Sequence, residues 1–281
     1  MLKMVLNSNE YKNLDAVGKE KKLLSFFHSS LFSNLSPDEK LILLQELENV
    51  EASKQKRESF EVVAHKPKDI LMDAGLSINS KKIYFSEEIL FEGMHEIYST
   101  LTKTRFSEKI EGLNLFLLDC LFHEEFHILF NNCLLKCEQD VETLYRELKE
   151  YSVYMETHDI SEKQQQEDIK MSFYRYITNP NEHYAFKYAY NNVINTFSSL
   201  NCTFGVDPNI SSYLQDIEKL KKNTCLSFTY ETGMNLNYNE IYEYLLDVWI
   251  QIFSNGMGYT KEEVVTDLSL TKTMMSQYHV Y

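Results

Sequence analysis

The strongest chemical signal in the sequence is a run of five residues that reads H-E-x-x-H, His123-Glu124-Glu125-Phe126-His127. Residues four apart lie on the same face of a helix, so the two imidazoles can bind one cation. Glu124 directly follows the first histidine, where a carboxylate can act as a base without ligating the metal. Two neutral nitrogen ligands next to a carboxylate are the arrangement that a zinc hydrolase uses.

The motif lies in an apolar stretch, Leu113 to Phe130, which is long enough for a buried helix. We therefore expect a helix over about residues 110–135. Core positions rarely carry two histidines and two glutamates unless these side chains are paired or bound to something. The surroundings of the motif therefore favour metal binding over ordinary core packing.

A zinc site of this type needs a third protein ligand, and the sequence offers Glu182. The segment that begins at Asn179-Pro180 predicts a helix to about residue 198, on which Glu182, Ala185 and Phe186 share a face. Glu182 also fits a helix cap, in which its carboxylate accepts a hydrogen bond from the Asn179 amide. His183, about 100° around the helix, is an alternative ligand.

Composition limits the possible partners. The formal net charge is −14, which argues against binding to duplex nucleic acid or to an anionic membrane surface. No stretch of transmembrane length is free of charge, since Asp119 and the motif interrupt the most apolar one. The five cysteines are an odd number without paired spacing, which predicts reduced thiols and a cytoplasmic protein. A peptide or protein partner remains, and the oligomeric state is left open.

Local patterns predict a mainly α protein with a small β-sheet, an α+β fold. Ser36, Pro37 and Glu39 form a strong helix start, and an earlier helix is expected over 14–32. Strands are expected at 60–64 and 82–85, the second of which is a candidate edge for an extended peptide. A helix is expected from Ser86, and a charged helical pair over 138–177. We expect a metal-binding domain over 1–200 and a helical extension, 201–281, that packs on it.

Three stretches resemble the zincin-type metallopeptidase-like domains of bacterial phage, mobile-element and polymorphic-toxin proteins. Residues 44–52, with Gln55 and Arg57, resemble their upstream helix of the form L-Q-E-x-E-N-x-x-A-x-x-Q-x-R. Residues 117–127 resemble their metal-binding helix, and residues 174–186 their third-ligand segment of the form P-x-E-x-x-A-F. The three stretches span about half of the chain.

The resemblance implies a zincin-like core with Zn²⁺ bound by His123, His127 and Glu182 and with Glu124 as the general base. Three positions depart from it: Glu125-Phe126 stands where relatives commonly carry Gly-Arg, and Tyr184 replaces an acidic residue. The main expectation is a zinc-dependent hydrolase, most simply a metallopeptidase. The alternative is a phage or mobile-element protein that uses the same fold for regulation or binding, with a structural or vestigial zinc site.

Further residues near the motif are candidates for supporting roles. Asp119 lies four residues before His123, where it is a candidate either to orient that imidazole or to face solvent. Three tyrosines, Tyr174, Tyr176 and Tyr184, are near the third ligand in sequence. Each is a candidate donor to a developing oxyanion, or a core residue.

Overall fold

The structure is a computed structural model, and it describes residues 1–65, 74–99, 104–134, 180–215, 217, 250, 253–254 and 258–266. Within these ranges, the side chains of residues 95–99, 104–106, 108, 133–134 and 180–183 are not described. The fold is mainly helical with a small β-sheet, as the sequence predicts. The chain divides into two compact units, each made of two stretches: 1–126 with 185–217, and 127–184 with 218–281. The domain boundary expected at residue 200 remains a prediction.

Four short helices begin the first unit: α1 (Leu2–Asn7), α2 (Asn9–Lys12), α3 (Ala16–Ser25) and α4 (Ser29–Phe32). The sequence predicts one helix over 14–32, and the structure divides it at Phe26–His28. The division has a local cause, because the His28 imidazole accepts a hydrogen bond from the Ser30 amide and so caps α4. Asp15 caps α3 in the same way through the Gly18 amide.

Helix α5 (Pro37–Gln55) begins at the predicted position. Ser36 and Glu39 form a reciprocal capping box, and Pro37 occupies the first turn. The helix ends at Lys56, whose backbone is left-handed with φ 55°. This turn directs the chain back toward α5, where strand β1 (Glu61–His65) follows.

Five strands form two sheets. Strand β1 pairs parallel with β3 (Lys82–Ser86), and β2 (Ala74–Ser77) pairs antiparallel with the other side of β3. Strands β4 (Met94–Ser99) and β5 (Thr104–Lys109) form a separate antiparallel pair. The predicted strands at 60–64 and 82–85 are confirmed as β1 and β3. The expectation that residues 82–85 accept a peptide at a sheet edge is wrong, because β3 is the central strand and both its edges are paired.

One short element replaces the helix expected from Ser86. Residues Glu88–Glu92 form a π-helical turn that ends at Gly93, whose φ of 65° suits glycine and closes the turn. Strand β4 follows directly at Met94, so there is no room for a longer helix.

Two long helices carry the motif residues, and both are confirmed: α6 (Leu113–Leu134) and α7 (Pro180–Phe204). Residues 210–215, just after α7, are also helical. None of the helices in the described ranges is long and apolar enough to cross a membrane. The charged pair expected over 138–177 and most of the expected helical extension lie outside the described residues.

Candidate metal centre

The H-E-x-x-H residues lie in the middle of α6, in the part of the helix that the fold buries. His123 and Glu124 are 6 % and 7 % exposed, and Glu125 is fully buried. At about 100° and 1.5 Å per residue, His127 is about 40° around the helix from His123 and about 6 Å along it. The same rule places Glu125 about 200° from His123. The two histidines therefore share one face of α6, and Glu125 lies on the opposite face.

Arg57 binds Glu125 on that opposite face. Its Nη2 donates to Glu125 Oε2 at 2.6 Å. The same guanidinium binds Glu48 of α5 through both ends, with Nη1 to Oε1 and Nη2 to Oε2 at 2.7 Å each. The three side chains form a buried network that joins α5 to α6.

Every N–H group of Arg57 has an acceptor in this network. Besides the bonds to the two glutamates, Nε donates to Gln55 Oε1 at 2.6 Å, and Nη1 donates to the Glu58 carbonyl at 3.1 Å. Glu48 Oε1 also accepts from the Phe60 amide at 2.5 Å. Burial of the guanidinium is tolerated because its N–H groups are satisfied in this way. The second carboxylate oxygen of the α6 glutamate in the network has no hydrogen-bond partner among the described residues.

The network separates the roles of the two adjacent glutamates. Burial raises the pKa of Glu125 well above its ordinary value, and the neighbouring negative charge of Glu48 raises it further, against the opposing effect of Arg57. Burial and the Glu48 carboxylate thus disfavour the charged form of Glu125 relative to an exposed glutamate. Glu124 lies about 60° around α6 from His127, on the side of the histidines.

The same face of α5 covers the outer edge of strand β1. Gln45 Oε1 accepts from the Val62 amide at 2.7 Å, and Gln45 Nε2 donates to the Phe60 carbonyl at 3.0 Å. The side-chain amide thus pairs with the backbone as a neighbouring strand would. These contacts give a structural account of the L-Q-E-x-E-N-x-x-A-x-x-Q-x-R stretch, whose polar residues hold β1 and α6.

On the histidine face, Asp119 lies one turn before His123. Its Oδ1 accepts a hydrogen bond from the Tyr213 hydroxyl at 2.6 Å. Burial raises the pKa of Asp119 to about 6, while the Tyr213 hydrogen bond and the positive charge available on His123 oppose that rise. Asp119 is therefore bound by a protein donor and is only partly exposed to solvent. Its role in orienting His123 stays a prediction.

The first turn of α6 is fixed by a second buried network. Asn114 Nδ2 donates to the Phe27 carbonyl at 2.8 Å and to Asp207 Oδ2 at 3.2 Å. Asp207 is fully buried and also accepts from the Ser29 amide at 2.6 Å. Asn114 and Glu125, eleven residues apart, lie within about 20° of each other around α6. Two polar contacts three turns apart thus fix the face of α6 that is opposite to the histidines.

Helix α7 packs beside the motif in the first unit. The Phe186 ring contacts the His123 imidazole edge to face, with 4.6 Å between the ring centroids. Tyr188 contacts Phe122 and Phe126 at 6.4 and 5.8 Å between centroids. Ala185, which the sequence predicts on the face of Phe186, is fully buried, and so is Ala189 one turn later.

The proposed third ligand, Glu182, is in the first turn of α7, but its side chain is not among those described, and neither is that of His183. Among the residues whose side chains are described, no three His, Cys, Asp or Glu side chains form a ligand group. The choice among Glu182 as ligand, Glu182 as cap and His183 as ligand therefore stays a prediction.

One of the three candidate oxyanion donors has an aromatic environment. Tyr184 is fully buried in the second unit, where its ring stacks on Phe253 at 4.1 Å and contacts Tyr259 at 5.0 Å between centroids. These contacts favour core packing for Tyr184. Tyr174 and Tyr176 lie outside the described residues.

Comparison of the chain with protein-family models, with curated proteins and with solved structures finds no match.

The residues of this site fit a divalent cation of borderline softness. They supply two imidazoles one turn apart on an uninterrupted helix, with the Asp119 carboxylate one turn before the first. Sequence reasoning did not find two contributors, Tyr213 and the Arg57–Glu125 pair. The sequence does contain a clue to this pair. A buried glutamate on an apolar helix needs a cation, and Arg57 belongs to the stretch that resembles the upstream zincin helix. No local sequence pattern distinguishes Tyr213 from the other tyrosines of the chain.

Proposed function

We propose that this protein is a zinc-dependent hydrolase, most simply a metallopeptidase. His123, His127 and Glu182 would hold the zinc ion, and Glu124 would be the general base. The observation that carries the proposal is the separation of the two glutamates on α6. Arg57 binds Glu125 on one face, while Glu124 lies about 60° from His127 on the side toward the histidines.

The roles of the residues follow from their chemistry. Zinc, when bound, lowers the pKa of water and polarises a carbonyl group. Glu124 would accept the proton of the attacking water and return it to the leaving amine. His123 and His127 would hold the cation as neutral ligands, with Asp119 beside the first of them. Arg57 and Glu48 would take no part in the reaction, and their contribution is to hold α6.

One contact supports Glu182 as the third ligand. Phe186 contacts His123, and residue 182 precedes Phe186 by four residues on α7, so both positions lie on one face of that helix. A helix that presents this face to His123 at residue 186 is suited to supply a ligand from the turn before. Glu182→Ala should then lower zinc affinity more than His183→Ala, which competition titration with a chromophoric chelator measures.

The test of the hydrolase proposal compares Glu124→Gln with its neighbour, Glu125→Gln. Both variants replace one carboxylate by an amide of the same shape. Hydrolysis of a fluorescently labelled unfolded protein and of a mixed peptide library is measured with the zinc-loaded protein. Glu124→Gln should lose about 10²- to 10⁴-fold in turnover while it retains zinc. Glu125→Gln should keep most of the activity. Equal activity of Glu124→Gln and wild type would contradict the proposal.

A second function has a specific observation in its favour. Both residues between Glu124 and His127 are used for packing, because Glu125 binds Arg57 and Phe126 is fully buried beside Tyr188. This suits a regulatory or interaction protein of phage or mobile-element type in which zinc is structural. In that case His127→Ala would abolish partner binding, and Glu124→Gln would leave it intact.

A further inference from the structure

Asp119 lies on the histidine face of α6, one turn before His123. Residues four apart on a helix have their Cβ atoms about 6 Å apart, which brings the two side chains into electrostatic range. Burial raises the pKa of Asp119, and the positive charge available on His123 opposes that rise, so the two side chains interact. A carboxylate in this position can orient an imidazole and fix which ring nitrogen carries the proton.

A carboxylate that performs this role has to be held in place, and one donor does so. The Tyr213 hydroxyl donates to Asp119 Oδ1 at 2.6 Å. Burial raises the pKa of the Tyr213 hydroxyl, and the Asp119 charge raises it further, so Tyr213 remains a donor at any ordinary pH. With Oδ1 bound in this way, the position of the Asp119 carboxylate relative to α6 is fixed.

Tyr213 is itself held on the first unit by neighbours on both sides. Its ring stacks on Tyr190 of α7, with 6.4 Å between centroids and 16° between the ring planes. Four residues earlier, Asn209 Nδ2 donates to Asn114 Oδ1 of α6 at 2.8 Å. The segment that carries Tyr213 is thus attached to α6 at two points, one on each face.

We propose that Tyr213 is a positioning residue for His123, which it orients by holding the Asp119 carboxylate beside that imidazole. This inference rests on the proposed function, because the orientation of His123 serves to present one of its ring nitrogens to a metal ion. It also assigns a role in the site to the segment after α7, since Tyr213 and Asp119 are 94 residues apart in sequence. Tyr213 touches no reacting atom and is not a catalytic residue.

The test is Tyr213→Phe, which removes one oxygen atom and keeps the ring that stacks on Tyr190. The matched control is Tyr11→Phe, because Tyr11 is also buried and its hydroxyl has no hydrogen-bond partner among the described residues. Thermal unfolding shows that both variants fold. Two readouts follow: the ¹⁵N chemical shifts of the His123 ring in metal-free protein, and zinc affinity by competition with a chromophoric chelator.

We expect one dominant His123 tautomer in wild type and in Tyr11→Phe, and a mixture of the two tautomers in Tyr213→Phe. Zinc affinity of Tyr213→Phe should fall by at most about 10- to 100-fold, which is the usual effect of losing the direct carboxylate partner of a metal-ligating histidine. Asp119→Asn should reproduce both effects. A merely structural role of Tyr213 would lower the melting temperature without changing the tautomer.

Two results separate the failure of this inference from the failure of the proposed function. Identical His123 shifts in Tyr213→Phe and wild type would overturn the positioning role, whatever the zinc affinity. A changed tautomer in a protein whose wild type binds no zinc would support the positioning role and refute the hydrolase.

Discussion

Glu124 and Glu125 are adjacent in sequence, yet they lie about 100° apart on α6 and meet different surroundings. Glu125 is fully buried and bound to Arg57, which is bound to Glu48. The pattern H-E-x-x-H predicts the identity of the base but not the role of the second glutamate. That role depends on Arg57, 68 residues earlier, so no local sequence pattern reveals it.

The raised pKa of Glu125 predicts a specific dependence of stability on pH. Below the ordinary glutamate value of 4.5 the carboxyl is protonated in both folded and unfolded chains. As the pH rises, the unfolded chain loses the proton and the folded chain keeps it, so the free energy of unfolding falls. Glu125→Gln removes this loss. The free energy of unfolding of Glu125→Gln, relative to that of wild type, should therefore be higher at pH 8 than at pH 5, and urea unfolding at the two pH values measures it.

The control for this prediction is Glu10→Gln, since Glu10 is an exposed glutamate of α2. Its difference from wild type should be the same at both pH values. A Glu125→Gln variant that behaves like this control would show that Glu125 is ionised in the folded protein.

Among the helices and strands, those whose start or burial depends on neighbouring residues in sequence are predicted correctly. The capping box at Ser36 and the apolar run from Leu113 give α5 and α6 at the expected places. Strand β2 (A-G-L-S) was not predicted, because its sequence has low strand propensity and its pairing with β3 holds it. The contacts of α6 with Glu48, Arg57 and Asp207 are likewise tertiary, so the sequence does not reveal them.

The Arg57 network should contribute strongly to stability once it has formed. Arg57→Met leaves Glu48 buried without its cation, and we expect a loss of about 3–5 kcal/mol in the free energy of unfolding. Lys82→Met is the comparison, because Lys82 and Glu61 form a surface pair at 2.9 Å. That pair should contribute less than about 1 kcal/mol. Urea unfolding of both variants at pH 7 measures the difference, and equal losses would refute the network's importance.

Loss of the buried acceptor Asp207 should likewise lower the free energy of unfolding more than loss of an exposed acceptor does. Asp207→Ala leaves the Ser29 amide without this acceptor and removes one of the two acceptors of Asn114 Nδ2. We expect a loss of about 2–4 kcal/mol. Asp15→Ala removes an exposed helix cap from the Gly18 amide and should lose only about 1 kcal/mol. Thermal unfolding of the two variants checks the order, and the reverse order would contradict it.

At the scale of the whole molecule, the net charge of −14 should oppose folding through self-repulsion. Raising the salt concentration from about 0.01 M to 0.15 M shortens the screening length from about 30 Å to 8 Å. The melting temperature of the metal-free protein should therefore rise over this range. A fall would show that attractive surface pairs outweigh the net repulsion. Calorimetry in buffers that differ only in sodium chloride makes the comparison.

The central claim, that α6 is a metal-binding helix, is tested most directly by the zinc content of protein purified without chelators or a metal-affinity tag. Elemental analysis should find about one zinc per chain in wild type and in Glu124→Gln. His123→Ala and His127→Ala should contain far less, because each loses a ligand. Wild type that remains without metal after equilibration with zinc, or His127→Ala that holds as much as wild type, would contradict the account.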